Sequence, residues 1–118
     1  MLLEINNLYQ DSSRYQNALG QLYLLKGEVA NASIALQKSI ALGEKTPEKL
    51  TNLGYAFYLQ QEWKQAQKLF EEAISIDSTF AFAFNNLSAT YAQLELWQNA
   101  EKYSTKAVDI NPQPIIFI

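Results

Sequence analysis

The sequence contains no cysteine and no histidine among its 118 residues. Their absence excludes disulfides, thiol nucleophiles, the usual zinc sites and every catalytic triad that contains histidine. The carboxylates mostly alternate with lysine, as at Lys68, Glu71 and Glu72, a pattern that is typical of a solvated helix face. All four glycines are isolated, so no glycine-rich phosphate loop is present. We therefore expect no catalytic residue, no metal site, no cofactor and no enzyme activity.

Glycine, proline and strand-like alternation are all scarce, which favours an all-α fold. The net charge of −3 and the pI near 4.9 argue against a nucleic-acid-binding protein, which would carry a basic patch. Apolar runs such as Phe80–Phe84 are too short to span a bilayer. The opening residues, MLLEINN, lack the basic start of a signal peptide. We expect a cytoplasmic protein without a membrane span.

The chain repeats itself with a period of 34 residues. Three blocks, residues 13–46, 47–80 and 81–114, align without a gap. Matching residues recur at the seventh, eighth, eleventh and twentieth positions of each block: Leu19, Leu53 and Leu87; Gly20, Gly54 and Ser88; Tyr23, Phe57 and Tyr91; Ala32, Ala66 and Ala100. A period of this length indicates stacked copies of one supersecondary unit.

Within each block the apolar spacing predicts two helices. Positions 4, 7, 8 and 11 share one face of the first helix, and positions 20, 24, 27 and 28 share one face of the second. The small residues at positions 8 and 20 would let the two helices approach closely. Trp63 and Trp97, which open two of the second helices, are expected in the core between helices. The six predicted antiparallel helices are residues 13–26, 29–42, 47–60, 63–76, 81–94 and 97–110.

These features resemble the tetratricopeptide repeat (TPR) family. The middle block carries the motif best, with LGYAF at residues 53–57 followed by Ala66, Phe70 and Ala73, and Pro112 takes the closing-proline position of the third block. Gln16 and Ser104 depart from the pattern, since bulky apolar residues are usual there. The resemblance implies an α-solenoid of three helical hairpins, a right-handed superhelix with a concave groove. We expect an N-terminal extension over residues 1–12, one TPR domain over 13–114 and an apolar tail over 115–118.

Each first helix has a second face, opposite its core face, that carries unusually little charge. Only Arg14 and Glu48 are charged among its eighteen positions in the three blocks, whereas a solvated helix face normally carries more charge. Asparagine offers both a donor and an acceptor, which matches the backbone of an extended peptide. We expect this face to line the groove and to bind a peptide through these residues: Asn17, Gln21, Asn52, Tyr55, Tyr58, Phe82, Asn85 and Asn86.

One known binding mode of the family is not expected here. Some members clamp the C-terminal carboxylates of heat-shock chaperones with Lys, Asn, Asn, Lys and Arg on their first helices. The corresponding positions of this sequence hold Asn17, Gln21, Asn52, Phe82 and Asn86, so only Asn52 matches. Without the cations a dicarboxylate would be poorly held.

Two functions remain open at this stage. The first is a non-catalytic adaptor or chaperone that binds an extended, weakly charged peptide in the groove. The second is a structural solenoid segment that associates through its uncapped ends, since terminal repeats normally need a polar cap. The ending PQPIIFI has four consecutive apolar residues, Ile115 to Ile118. We expect them to cover the last hairpin near Ser104, or to mediate homo-oligomerisation or partner binding.

Overall fold

The computed structural model describes residues 8–111. Over that range the chain forms six helices and no strand: α1 (Ser13–Lys26), α2 (Val29–Leu42), α3 (Pro47–Leu59), α4 (Trp63–Ile76), α5 (Ala81–Gln93) and α6 (Trp97–Ile110). The bounds agree with the prediction, except that α3 and α5 each end one residue earlier. No helix in residues 8–111 is long and apolar enough to cross a membrane.

Local sequence signals explain where the helices begin. The Thr46 hydroxyl accepts a hydrogen bond from the Lys49 backbone N–H at 3.2 Å, and Pro47 follows at the first helical position. Ser12 caps α1 in the same way, by accepting from the Tyr15 N–H at 3.2 Å. Such caps satisfy backbone donors that have no partner inside the helix.

Each hairpin turns through a residue in the left-handed region, at the fifteenth position of its block. Gly27 has φ 79°, Gln61 has φ 63° and Glu95 has φ 59°. Glycine adopts this conformation without a penalty, whereas other residues are strained in it. In two of the three turns, Gln61 and Glu95 therefore hold a backbone conformation that glycine would adopt more easily.

Replacing Gln61 by glycine is expected to raise the free energy of unfolding by up to about 1 kcal/mol, because the left-handed region costs an L-residue about 1–2 kcal/mol and glycine recovers part of that. The opposite kind of change, Gly27→Ala, should lower the free energy of unfolding. The loss would come from backbone strain and not from a clash, because no atom lies within 4 Å of the added Cβ. Urea unfolding followed by circular dichroism measures both. A Gln61→Gly protein less stable than the wild type would contradict the assignment.

The helices pack as consecutive pairs, α1 with α2, α3 with α4 and α5 with α6, and these hairpins stack through α2 on α3 and α4 on α5. Small residues permit the close approach inside a pair, as predicted. A Cβ at Gly54 would meet the Phe70 ring at 2.6 Å, and one at Gly20 would meet Leu36 at 2.6 Å. In the third pair the Ser88 hydroxyl instead donates to the Ala100 carbonyl at 2.6 Å.

Buried clusters join the hairpins. Leu36 meets Leu53 and Ala56 between the first and second hairpins. Phe70, fully buried, meets Leu87 and Tyr91 between the second and third. The Tyr91 hydroxyl also donates to Glu71 Oε1 at 3.0 Å, and burial, followed by that contact, raises the pKa of Tyr91 to about 12. Repeat-to-repeat packing of this kind is what holds a solenoid together.

The departures from the repeat pattern have local explanations. Gln16 is buried, and its side-chain amide donates to the Gln10 carbonyl at 2.9 Å. Ser104 is exposed, and the neighbouring Tyr103 ring stacks on Tyr91 instead, with 5.4 Å between centroids. The expectation that Trp97 lies in the core is wrong. Its side chain is 64 % exposed, because within the described residues no hairpin follows α6.

Candidate functional site

A pocket of about 520 Å³ lies between α3 and α5, on the face of the first helices that carries little charge. We call it the α3–α5 pocket. The lining residues are Glu48, Thr51, Asn52, Tyr55, Phe80, Phe82 and Asn86. Its volume falls within the range of about 300–1,000 Å³ that is usual for ligand sites.

Helix periodicity brings the α3 side of the pocket together. Glu48, Asn52 and Tyr55 lie at intervals of four and three residues, so they follow one ridge of α3. The start of this ridge is fixed by the Thr46 cap and Pro47, which set where α3 begins. The α3 side of the pocket therefore rests on a regular helix rather than on a loop.

The α5 side supplies aromatic surface. Phe80 precedes α5, and its ring lies 5.9 Å from the Phe82 ring, centroid to centroid. Phe82 is 71 % exposed and Asn86 follows it by one helical turn. An aromatic ring that is exposed to this degree beside polar amides is a feature of contact sites.

Two polar atoms in the pocket wall have no partner. The Asn52 Nδ2 and Thr51 Oγ1 atoms are buried and make no hydrogen bond within residues 8–111. Buried polar atoms are usually hydrogen-bonded, and an unpaired one costs about 1–3 kcal/mol. Both atoms are shielded from solvent, so a bound chain reaches them only after the side chain changes its rotamer.

The structure places four of the eight predicted binding residues at the pocket: Asn52, Tyr55, Phe82 and Asn86. Asn17 lies on α1 and is half-buried, and its Oδ1 atom has no partner in the described part of the chain. Gln21, also on α1, donates to Glu48 Oε1 at 3.1 Å, so it borders the pocket through that residue.

The two remaining predicted residues do not line the pocket. Tyr58 packs edge-on against Trp63, with 4.9 Å between ring centroids, and its hydroxyl accepts from Gln93 Nε2 at 3.4 Å. Tyr58 also stacks on Tyr55 at 6.3 Å and so supports that ring from behind. Asn85 is half-buried on α5.

Three lining residues were not among the predicted binding residues: Glu48, Thr51 and Phe80. Glu48 and Thr51 lie on the same face of α3, but neither is an amide or an aromatic ring, the side chains on which the prediction rests. Phe80 lies outside α5, so helix periodicity does not point to it. Its place at the start of the apolar run Phe80–Phe84 was the available signal.

Comparison with known proteins agrees with this architecture. Family models described as tetratricopeptide repeat match residues 13–45, 47–80 and 83–114. The chain therefore belongs to the tetratricopeptide repeat family. No curated protein matches the sequence.

Solved structures with the same fold include MamA, at 22 % identity and a TM-score of 0.86, over 92 % of this chain. The chain spans 64 % of the length of MamA. The Arabidopsis OM64 TPR domain is 19 % identical, with a TM-score of 0.84, over 86 % of this chain and 84 % of that domain. The first TPR of Spaghetti (RPAP3), bound to the HSP90 peptide SRMEEVD, is 16 % identical, with a TM-score of 0.83, over 87 % and 82 %.

Proposed function

We propose that the protein is a non-catalytic interaction module, an adaptor or chaperone-like protein, that binds an extended, weakly charged peptide in the groove along its first helices. The observation that carries this proposal is the α3–α5 pocket, where two amides at equivalent block positions, Asn52 and Asn86, lie beside the exposed rings of Tyr55 and Phe82. We expect the peptide to extend from the pocket over Asn17 and Gln21 on α1 and past Tyr58 and Asn85.

The chemistry of the pocket suits a main chain better than a small polar ligand. An asparagine amide can donate to a peptide carbonyl and accept from a peptide N–H at once, so it holds backbone without reading the side chain. The unpaired Asn52 Nδ2 atom is a donor of the required kind once a change of rotamer exposes it. The aromatic rings offer apolar contact area at a low cost in side-chain entropy.

The binding of an HSP90 peptide by the TPRs of RPAP3 supports a peptide ligand for this fold. We do not expect the same peptide sequence to bind to this chain. Phe82 occupies one of the positions where the carboxylate clamp needs a cation, and the α3–α5 pocket contains no Lys or Arg. We therefore propose that the chain binds a peptide of a different charge character.

The substitutions Asn52→Ala and Asn86→Ala are each expected to weaken peptide binding about fivefold, the equivalent of about 1 kcal/mol for one hydrogen bond. Asn86→Ala should change stability by no more than about 0.5 kcal/mol, because that side chain lies on a partly exposed face. Asn52→Ala should not lower stability, because it removes a buried atom that has no partner. A peptide selected on the wild-type protein from a random library serves as the ligand for calorimetry. Asn31→Ala, on the exposed side of α2, is the matched control. Unchanged affinity in both groove variants would disprove the asparagine contacts.

A second candidate function, assembly through the ends of the solenoid, has its own support. Val29 and Ile40 on α2 are covered by the next hairpin, while Trp97 and Val108 at the equivalent positions of α6 are 64 % and 53 % exposed. Leu22, on the outer side of α1, is 46 % exposed. Exposed apolar faces of this kind are typical of association surfaces. The predicted tail, residues 115–118, lies outside the described residues.

Sedimentation distinguishes this candidate from the first. If copies associate end to end, the apparent mass of the full chain should rise with concentration, and both Trp97→Ser and a chain shortened to Pro114 should suppress the rise. A mass that stays that of one chain at all concentrations would remove this candidate.

Two further proposals rest on the sequence alone. They are the cytoplasmic location and the division of the chain into residues 1–12, 13–114 and 115–118.

A further inference from the structure

The α3–α5 pocket holds one carboxylate that has no cationic partner. Glu48 Oε1 accepts a hydrogen bond from Gln21 Nε2 at 3.1 Å, and this donor is neutral. Within residues 8–111 the ion pairs are Lys26 with Glu28 and Lys45 with Glu72. The charge of Glu48 is therefore not neutralised by this part of the chain, although it lies beside aromatic rings that a ligand would cover.

Neither the basic residue next to Glu48 in the sequence nor the one at its matching position on α1 compensates for this charge. Lys49 donates to the Ser13 hydroxyl at 2.6 Å and to the Glu44 carbonyl at 3.3 Å, so its ammonium group is held at the junction of α2 and α3. Arg14 has the matching position on α1, but it forms no ion pair with Glu48 in the described part of the chain.

We propose that the α3–α5 pocket selects an arginine side chain of the bound peptide, an inference that rests on the proposed function. The guanidinium group pairs with the Glu48 carboxylate and lies against the rings of Tyr55 and Phe82. Arginine satisfies all the features of the pocket at once, because its planar fork matches a carboxylate, its face stacks on aromatic rings and its stem is apolar. Asn52 and Asn86 hold the backbone on either side.

A pocket that selects arginine favours a positively charged ligand and disfavours one that is rich in carboxylates. The peptide in the RPAP3 structures, SRMEEVD, has three acidic residues among its last four. In the present chain such a run would place carboxylates beside Glu48, where like charges repel. A segment that has arginine and no acidic residues near it is attracted instead, and the attraction weakens as salt is added.

Selection from a random peptide library on four immobilised proteins tests the inference. The proteins are the wild type, Glu48→Gln, Glu101→Gln and the double variant Asn52→Ala/Asn86→Ala. Glu48→Gln removes the charge and keeps the shape of the side chain. Glu101→Gln removes the same charge from the exposed side of α6 and is the matched control. Sequencing of the bound pool gives the frequency of arginine and glutamate in the selected motif.

We expect arginine to be enriched on the wild type and on Glu101→Gln, and not on Glu48→Gln. Fluorescence polarisation of the best peptide should show a loss of about twofold to fivefold when its arginine becomes glutamine, the range of an exposed ion pair, and no loss on Glu48→Gln. A selected motif that lacks arginine, or an arginine that is still enriched on Glu48→Gln, overturns the inference. The proposed groove still stands in that case if the double variant binds the selected peptides more weakly than the wild type does. No enrichment on the wild type overturns the proposed function as well.

Discussion

Replacement of Phe70 by alanine is expected to lower the free energy of unfolding by about 3–5 kcal/mol, the usual cost of removing a buried aromatic side chain. The Phe70 side chain is fully buried, packs with Leu87 and Tyr91 of the next hairpin, and fills the space above Gly54. Its loss would open a cavity at the junction of two repeats. Because a solenoid is stabilised mainly by contacts between neighbouring repeats, the effect should be large for a chain of this length.

Urea unfolding followed by far-ultraviolet circular dichroism measures the change. Phe82→Ala is the matched control, because that ring is 71 % exposed, and its stability should change by no more than about 0.5 kcal/mol. If Phe70→Ala fails to fold, Phe70→Leu should still fold with a smaller loss. Equal losses in Phe70→Ala and Phe82→Ala would contradict the assignment of the core.

Substitution of Ala66 by leucine is expected to destabilise the protein by about 1–3 kcal/mol, because extra methylene groups in a filled core force side chains out of their preferred rotamers. Ala66 has no exposed surface and lies in the same cluster as Phe70. It occupies the twentieth position, where all three blocks have alanine. The small side chain is needed for the close approach of α3 and α4.

Thermal unfolding of Ala66→Leu and Ala41→Leu gives the comparison. Ala41 is exposed on α2, and alanine and leucine are both good helix formers, so the control should retain the melting temperature of the wild type. A melting temperature of Ala66→Leu that equals that of the control would show that Ala66 is not at a tight helix contact.

The helices could be predicted from the sequence because the apolar spacing recurs in all three blocks and further signals mark single helices. The 34-residue register, the small residues at Gly20 and Gly54, and the Thr46–Pro47 start of α3 are local features that do not depend on distant contacts. The helix starts agree with the prediction for this reason. The one-residue difference at the ends of α3 and α5 is within the usual uncertainty of helix ends.

The exposure of Trp97 could not be predicted from its own block. Its equivalents Val29 and Trp63 are half-buried, so the repeat pattern predicts burial for the third copy too. What decides exposure is whether another hairpin follows, and that is not a property of the repeat. The left-handed conformation of Gln61 and Glu95 also could not be predicted from the sequence. Glycine is the residue that signals such a turn, and of the three turns only the first has it, at Gly27.

The pocket contains four of the residues predicted from the sequence and three that were not predicted. A face of eighteen positions with two charges identified the surface, but periodicity alone does not say which side chains meet. Tyr58 lies on that face and yet packs against Trp63, while Phe80 lies outside the helix and lines the pocket. These assignments depend on how α3 and α5 sit against each other.

Photo-cross-linking of a library-selected peptide tests the groove most directly. A benzophenone-bearing phenylalanine analogue is placed at Phe82, in the groove, or at Trp97, on the outer end of α6. The two positions are similarly exposed, at 71 % and 64 %, so that accessibility does not favour either one. Binding in the groove predicts that the peptide is captured from position 82 and not from position 97. Capture from position 97 alone would contradict the groove and favour the ends of the solenoid as the binding surface.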